Sequence, residues 1–133
     1  MAQLNDIAIR MLQEKNFVFI ATLGKTSGAP QVTPTWVDVD NGYVLVNTAI
    51  GRMKQENSKR DPRVALSAVD SANPYSFTAI RGRVVEQITG QAAEDHIDKM
   101  AKKYLGKDKY PFRQPGEKRV ILKIKPERVV VQE

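Results

Sequence analysis

The triplet Asp40-Asn41-Gly42 restricts the possible folds of this chain more than any other stretch. Asn-Gly accepts positive φ at both central positions of a tight turn, so the runs on either side, 31–39 and 43–47, are expected to fold back on each other as a hairpin. The pattern then recurs. Phe17–Leu23 is rich in β-branched and aromatic residues and is followed by a turn over Gly24–Pro30 with two glycines. Further on, Arg63–Val69 reads as a strand and Tyr75–Thr89 as a long extended segment that Gly82 bends. Arg119–Lys125 alternates apolar and polar residues, and Arg128–Val131 gives a last short strand after Pro126. Hairpins stacked in sequence predict a mainly β protein, an antiparallel barrel of about six strands with helices at its margins.

Three segments interrupt the strands. Leu4, Ile7, Ala8, Met11 and Leu12 recur at helical spacing, which predicts an amphipathic helix with Asn5 or Asp6 as its N-cap. Gln91–Leu105 carries Ala93, Ile97, Met100, Ala101 and Tyr104 on one stripe, and Gly106 ends it. The third is the very basic turn 51–65, which joins two strands. The loop 107–118 reads as a connector, although its aromatic pair, Tyr110 and Phe112, would also suit a pocket rim. Pro34 falls in the middle of run 31–39, a position that an interior, fully paired strand would not accept, so an edge, a bulge or a ligand-lining position is expected there.

At 133 residues the chain is expected to be a single domain, residues 1–133, small enough that a second subunit could complete its site. The absence of cysteine excludes disulfides, thiolate metal sites and cysteine catalysis. No apolar run approaches the ~20 residues of a membrane span and Met1–Arg10 has no leader pattern, so a cytoplasmic location is expected. The lone histidine, His96, has Glu94, Asp95 and Asp98 nearby, but a surface or half-buried structural role is the expectation. No Gly-x-Ser-x-Gly, Walker-type or Gly-x-Gly-x-x-Gly pattern occurs. Hydrolysis, P-loop and Rossmann chemistry are therefore unsupported.

A net charge of +6 and a pI near 9.7 favour an anionic partner without choosing among nucleic acid, lipid and phosphorylated cofactors. The basic turn narrows the choice. Arg52, Lys54, Lys59, Arg60 and Arg63 fall within twelve positions and are offset only by Glu56 and Asp61. A strand running into a basic helix start would combine free backbone N–H groups, a positive dipole end and cationic side chains on one anion, that is, a phosphate cradle. An isolated run of this kind would be a solvated surface helix. Its position between strands is what favours the cradle. Asp61-Pro62 then stops the helix.

The pattern Thr48…Arg52-x-Lys54-x-x-Asn57…Arg60-Asp61-Pro62-Arg63-Val64-Ala65 resembles the signature of the split-barrel flavin-binding superfamily, the pyridoxamine-phosphate-oxidase-like proteins. The likeness extends to the Phe-x-Phe-Ile-Ala-Thr-Leu strand, the hairpin carrying Pro34 and Trp36, and Arg81-Gly82-Arg83-Val84. Members that use flavin mononucleotide (FMN) usually carry Ser-Arg-Lys where this chain has Arg52-Met53-Lys54, and Arg-x-Lys-x-x-Asn looks more like the branch that uses the deazaflavin coenzyme F420.

The resemblance implies a homodimer with the cofactor at the subunit interface. Arg52, Met53, Lys54 and Asn57 would lie along the cofactor's phosphate and tail, Thr33, Pro34, Thr35 and Trp36 against its ring system, and Thr48 would add a hydroxyl. Tyr75 or Phe77 of a second subunit would close the site. The chemistry implied is an oxidoreductase that passes hydride from reduced F420 to a small unsaturated or conjugated substrate. An FMN-binding oxidoreductase of the pyridoxamine-phosphate-oxidase type is the alternative within that class, and a non-catalytic cofactor- or nucleic-acid-binding barrel the alternative outside it. Single-stranded nucleic acid is the weaker option, since only Tyr75, Phe77, Arg81 and Arg83 approach the interleaved aromatic and cationic pattern it requires. The sequence stops at Glu133, short of the C-terminal extension that helps true pyridoxamine-phosphate oxidases bind the vitamin phosphate, so that activity is not expected.

Overall fold

Residues 2–133 are described here from a computed structural model. The Asn41-Gly42 turn forms as expected, with φ of 54° and 83°. It joins β3 (Asp38–Asp40) to β4 (Tyr43–Ala49), with Val39 opposite Val44. The other strands are β1 (Val18–Leu23), β2 (Pro30–Thr35), β5 (Arg63–Asp70), β6 (Asn73–Ile88) and β7 (Arg119–Gln132). All seven belong to one antiparallel sheet in the order β2-β1-β5-β6-β7-β4-β3.

The two edge strands of that sheet, β2 and β3, are consecutive in the chain, with only Trp36 and Val37 between them. Three residue steps span at most roughly 11 Å, so the sheet has to curl until its edges come close. The result is a split barrel, mainly β and not fully closed. Two strand boundaries differ from the sequence expectation. Run 31–39 is two strands, because the chain leaves one edge at Thr35 and joins the other at Asp38. Pro34 accordingly sits on an edge strand, where its missing N–H interrupts no interior ladder. Conversely, runs 119–125 and 128–131 form one strand, for Pro126 is accommodated opposite Gly82 at a shift of register. A Cβ on Gly82 would lie 2.3 Å from the Lys125 carbonyl oxygen, so only glycine permits that approach. The split and the merger offset each other, and the sheet holds seven strands against the expected six or so.

Alternating apolar residues of the strands fill the interior, among them Val18, Ile20, Val44, Val46, Leu66, Ile80, Val120, Leu122 and Ile124. Helix α1 (Asp6–Gln13) adds Ala8 and Leu12 to that core and also buries Met11. Asn5 caps it by accepting from the Ala8 N–H at 2.9 Å. Full burial of each Leu, Ile or Val contributes about 1.5–3 kcal/mol, which makes the interior the main stabilising element. Helix α3 (Gln91–Leu105) buries the predicted stripe and ends on Gly106 at φ 70°. Helix α2 (Met53–Arg60) is the basic turn between β4 and β5. No helix among the described residues is long and apolar enough to cross a membrane.

Candidate functional site

The end of β4 and the start of β7 lie side by side, with Thr48 opposite Val120 and Ala49 opposite Arg119. The chain leaves β4 through Gly51, at φ 93°, and enters α2 with Arg52 as its N-cap residue. No side chain caps that terminus. The Gln55 side chain reaches back to accept from the Gly51 N–H at 2.9 Å, whereas the N–H groups of Met53 and Lys54 find no acceptor among the described residues. Two backbone donors and the positive end of the helix are thus available to an anion.

Above this corner is a cavity of about 180 Å³ lined by Pro34, Thr35, Trp36, Thr48, Arg52, Lys54, Phe17, Asn47, Tyr110 and Arg119. The first six are residues proposed from the sequence. Trp36 is held at the cavity wall by a parallel stack on Tyr104, with ring centroids 5.1 Å apart, and by an edge contact with Tyr110 at 5.9 Å. The Tyr104 hydroxyl accepts from the Val37 N–H at 3.0 Å and donates to the Asn16 carbonyl at 2.6 Å, which fixes the stack in turn.

The electrostatics of the cavity are unbalanced. Arg52, Lys54 and Arg119 face it, and Glu117 alone lies between the two guanidinium groups, 3.1 Å from Arg52 and 3.2 Å from Arg119. Three cations against one carboxylate leave an excess of two positive charges. Burial lowers the Lys54 pKa from its ordinary value, and the neighbouring charges of Arg52 and Arg119 lower it further. Besides Glu117 Oε2, two polar atoms of the cavity lining are buried without hydrogen-bond partners, Thr48 Oγ1 and Arg119 Nη1, in residues only 1% and 2% exposed. Such groups are expensive to bury unsatisfied, and an oxyanion would satisfy both.

The remaining proposed residues lie elsewhere. Thr33 stands opposite Ile20 in β2, outside the cavity lining. Met53 projects from the first turn of α2, 57% exposed. Asn57 is buried on the opposite side of α2, donating to Thr22 Oγ1 at 3.1 Å and accepting from Arg60 at 2.9 Å. Phe77 lies on β6 opposite Val69 and Gln132, remote from this chain's own cavity lining.

Nor do the five cations of the basic run converge. Arg60 is turned to Asn57 and the Leu23 carbonyl, Arg63 is paired with Asp61 at 2.7 Å, and Lys59 lines a separate groove with Pro62 and Val84. The helix carries successive residues around its circumference, so only those of the first turn reach the strand end.

Four lining residues were not singled out from the sequence: Phe17, Asn47, Tyr110 and Arg119. Tyr110 was visible as one of the loop aromatics, and the loop proves to be part of the cavity wall. Arg119 looked like one polar position of an alternating strand. His96 is buried, and its partners are Asp38 and Asn47 at 3.0 and 3.1 Å instead of the helix acids beside it in sequence. Burial alone would raise the Asp38 pKa, but the His96 hydrogen bond and the Lys99 ammonium outweigh it and hold the carboxyl below its usual range. Among the described residues, no group of three His, Cys, Asp or Glu side chains could hold a metal ion.

Residues 6–133 match the family model described as pyridoxamine 5'-phosphate oxidase. The chain belongs to that family. Solved structures agree with the fold of the family. One named as an F420 reductase shares 26% identity, with 91% of this chain and 94% of that one covered at a TM-score of 0.78. A provisionally assigned pyridoxamine 5'-phosphate oxidase from Listeria innocua shares 16% identity over 95% of each chain, with a TM-score of 0.68. A conserved hypothetical protein from Mycobacterium tuberculosis shares 22% identity over 97% of this chain and 88% of that one, with a TM-score of 0.69. No curated protein matches by sequence. Within the pyridoxamine 5'-phosphate oxidase family fold, the cavity lies where β4, α2 and β7 meet.

Proposed function

We propose that this protein is an oxidoreductase that binds the deazaflavin F420 in the cavity above the start of α2 and passes hydride to a small unsaturated or conjugated substrate. The observation that carries this reading is the cavity itself: an excess of two positive charges, two free backbone donors and two unsatisfied buried polar atoms share it with the half-buried Trp36. That donor set fits a phosphate or carboxylate attached to an aromatic ring system. Likeness to a structure named as an F420 reductase supports the deazaflavin over FMN.

Arg52, Lys54, Arg119 and the Met53 and Lys54 N–H groups would hold the anionic part, with Thr48 Oγ1 as a further donor. Pro34, Thr35 and Trp36 would orient the ring. Reduced deazaflavin supplies the hydride when bound, so the chain needs no nucleophile or metal of its own. Thr33, Met53 and Asn57 would serve at one remove, Asn57 by fixing α2 against β1 and β2.

A homodimer of single-domain subunits in the cytoplasm is the setting we propose. The outer sheet face carries a groove of about 570 Å³ lined by Phe19, Ala21, Val32, Ala79 and Val130, and three of these apolar side chains are about half exposed. Phe77 emerges on the same face of β6 as Ala79, two residues away, where a second subunit could use it. A second copy is the occupant that fits a self-complementary apolar face of this kind.

The test is a titration of the cofactor-free protein with F420 and FMN side by side, together with sedimentation analysis. Preferential F420 binding to a dimer, followed by substrate-dependent oxidation of the reduced cofactor, is the expected result. Preferential FMN binding would transfer the assignment to a flavin oxidoreductase. Binding of neither would remove the enzyme reading and favour a nucleic-acid-binding barrel.

A further inference from the structure

We infer that Arg119 is a ligand-contacting residue reading an oxyanion at the cavity floor, and that Asn47, His96 and Asp38 form a buried chain whose role is to position it. The inference rests on the cavity being a ligand site and adds residues that neither the basic run nor the family likeness singles out.

A guanidinium that is 2% exposed would ordinarily spend its donors on protein acceptors. This one does not. Its Nε donates to Asn47 Oδ1 at 2.9 Å, and its guanidinium carbon lies 5.1 Å from the centre of the Tyr110 ring. Nη1 makes no well-aligned hydrogen bond among the described residues and is ion-paired with Glu117 Oε1 at 3.2 Å. The terminal fork is therefore held by Nε and by the charge of Glu117, with Nη1 making no well-aligned hydrogen bond, at a cavity that Lys54 and Arg52 also line. A planar fork of this kind matches two oxygens of a phosphate or carboxylate.

Elementary donor and acceptor logic fixes how the fork is aimed. The Asn47 amide meets the Ala93 carbonyl at 3.0 Å, which can only accept, and Arg119 Nε, which can only donate. Its Nδ2 therefore faces Ala93 and its Oδ1 faces Arg119, with no freedom to flip. The same Nδ2 lies 3.1 Å from His96 Nδ1, so that ring nitrogen must accept and the proton of the neutral ring sits on Nε2. From there it is donated to Asp38 Oδ2 at 3.0 Å. Ala93 and Arg119 thus fix the face of the amide, the amide fixes the His96 tautomer, and the Asp38–His96 pair in return anchors Asn47 against the guanidinium, along a chain drawn from β3, α3, β4 and β7.

The experiment compares wild type with Arg119→Lys, Asn47→Leu, His96→Phe and His96→Asn, each checked for folding by circular dichroism and thermal melting. Binding is measured with inorganic phosphate, F420 and FMN. Nitrogen NMR of His96 and of the Arg119 Nε–H supplies a readout independent of activity. Arg119→Lys and Asn47→Leu are expected to weaken anion binding roughly tenfold to a hundredfold, the range for one charge-assisted contact. His96→Phe should approach that loss, while His96→Asn, which returns an acceptor near the Nδ1 position, should recover most of it. In the wild type, His96 Nδ1 should resonate as an unprotonated nitrogen and the Arg119 Nε–H should shift when phosphate is added.

Equal affinity in folded Arg119→Lys, or a proton found on Nδ1, would overturn the inference. If affinity for F420 falls in Lys54→Ala but not in Arg119→Lys, the F420 reading stands and the role of Arg119 fails. Arg119-dependent binding of inorganic phosphate without binding of either cofactor would have the opposite meaning, and failure of all three probes to bind the wild type would overturn both.

Discussion

Helices α1 and α2 are both eight residues long, yet they are held in the fold by opposite means. In α1, Ala8, Met11 and Leu12 are buried and Asn5 caps the first turn. In α2 the buried residues are Gln55, Asn57 and Ser58, each fixed by hydrogen bonds, and the first turn has no side-chain cap. Apolar burial stabilises without regard to direction. Polar burial is worth little net stability, but it orients a helix closely. The chain uses the first kind where only anchorage is required and the second where a helix start has to face a cavity with its N–H groups free.

The contrast can be broken most severely from the α1 side. Met11→Ala or Leu12→Ala should lower stability by about 2–5 kcal/mol in a denaturant titration, with F420 affinity per folded molecule unchanged. Lys54→Ala should do the reverse. It should weaken cofactor binding by roughly 1.5–3 kcal/mol, while the melting temperature stays level or rises because a desolvated cation beside two others is gone.

The capping difference gives a smaller, paired test. Asn5→Ala should cost about 1 kcal/mol of stability, whereas Arg52→Ser, which installs a cap where none exists, should add up to about 1 kcal/mol and weaken the anion site. Equal stability losses at both caps would contradict the division between the two helices.

The finest test is pH. The free-protein pKa of Lys54 is below the ordinary 10.5, and a bound anion would raise it again, so binding takes up a proton once the free amine has begun to lose its own. Affinity should therefore fall as pH rises through the lowered value, before 10.5 is reached, and Lys54→Arg should flatten that fall in a calorimetric pH series.

Features governed by neighbours in the chain were legible beforehand. The Asn41-Gly42 turn, the limits of α3 and its Gly106 stop, and the helical start after Thr48 all follow from local rules. Pro34, Thr35, Trp36, Thr48, Arg52 and Lys54, which the family resemblance and the basic turn bring to notice in the sequence, line one cavity in the structure. What could not be read depends on pairings across the sheet. Arg119 becomes part of the site only through the β4–β7 ladder, and His96 finds Asp38 across 58 residues of sequence. The division of run 31–39 was invisible for a related reason: Trp36 and Val37 are good strand formers, and only closure of the sheet makes them a corner. The five cations do not converge because each residue advances roughly 100° around a helix, so charges that are close in the chain point in different directions.

The β4–β7 ladder also gives the molecule a chronology. As the chain emerges from the ribosome, β4 appears some seventy residues before the strand that pairs with it, and its edge stays open until residues 119–124 have been made. Thr48 and Lys54 are present early, but Arg119 arrives only with β7, so the cavity wall is a late product of synthesis and stays incomplete for as long as β4 waits for its partner.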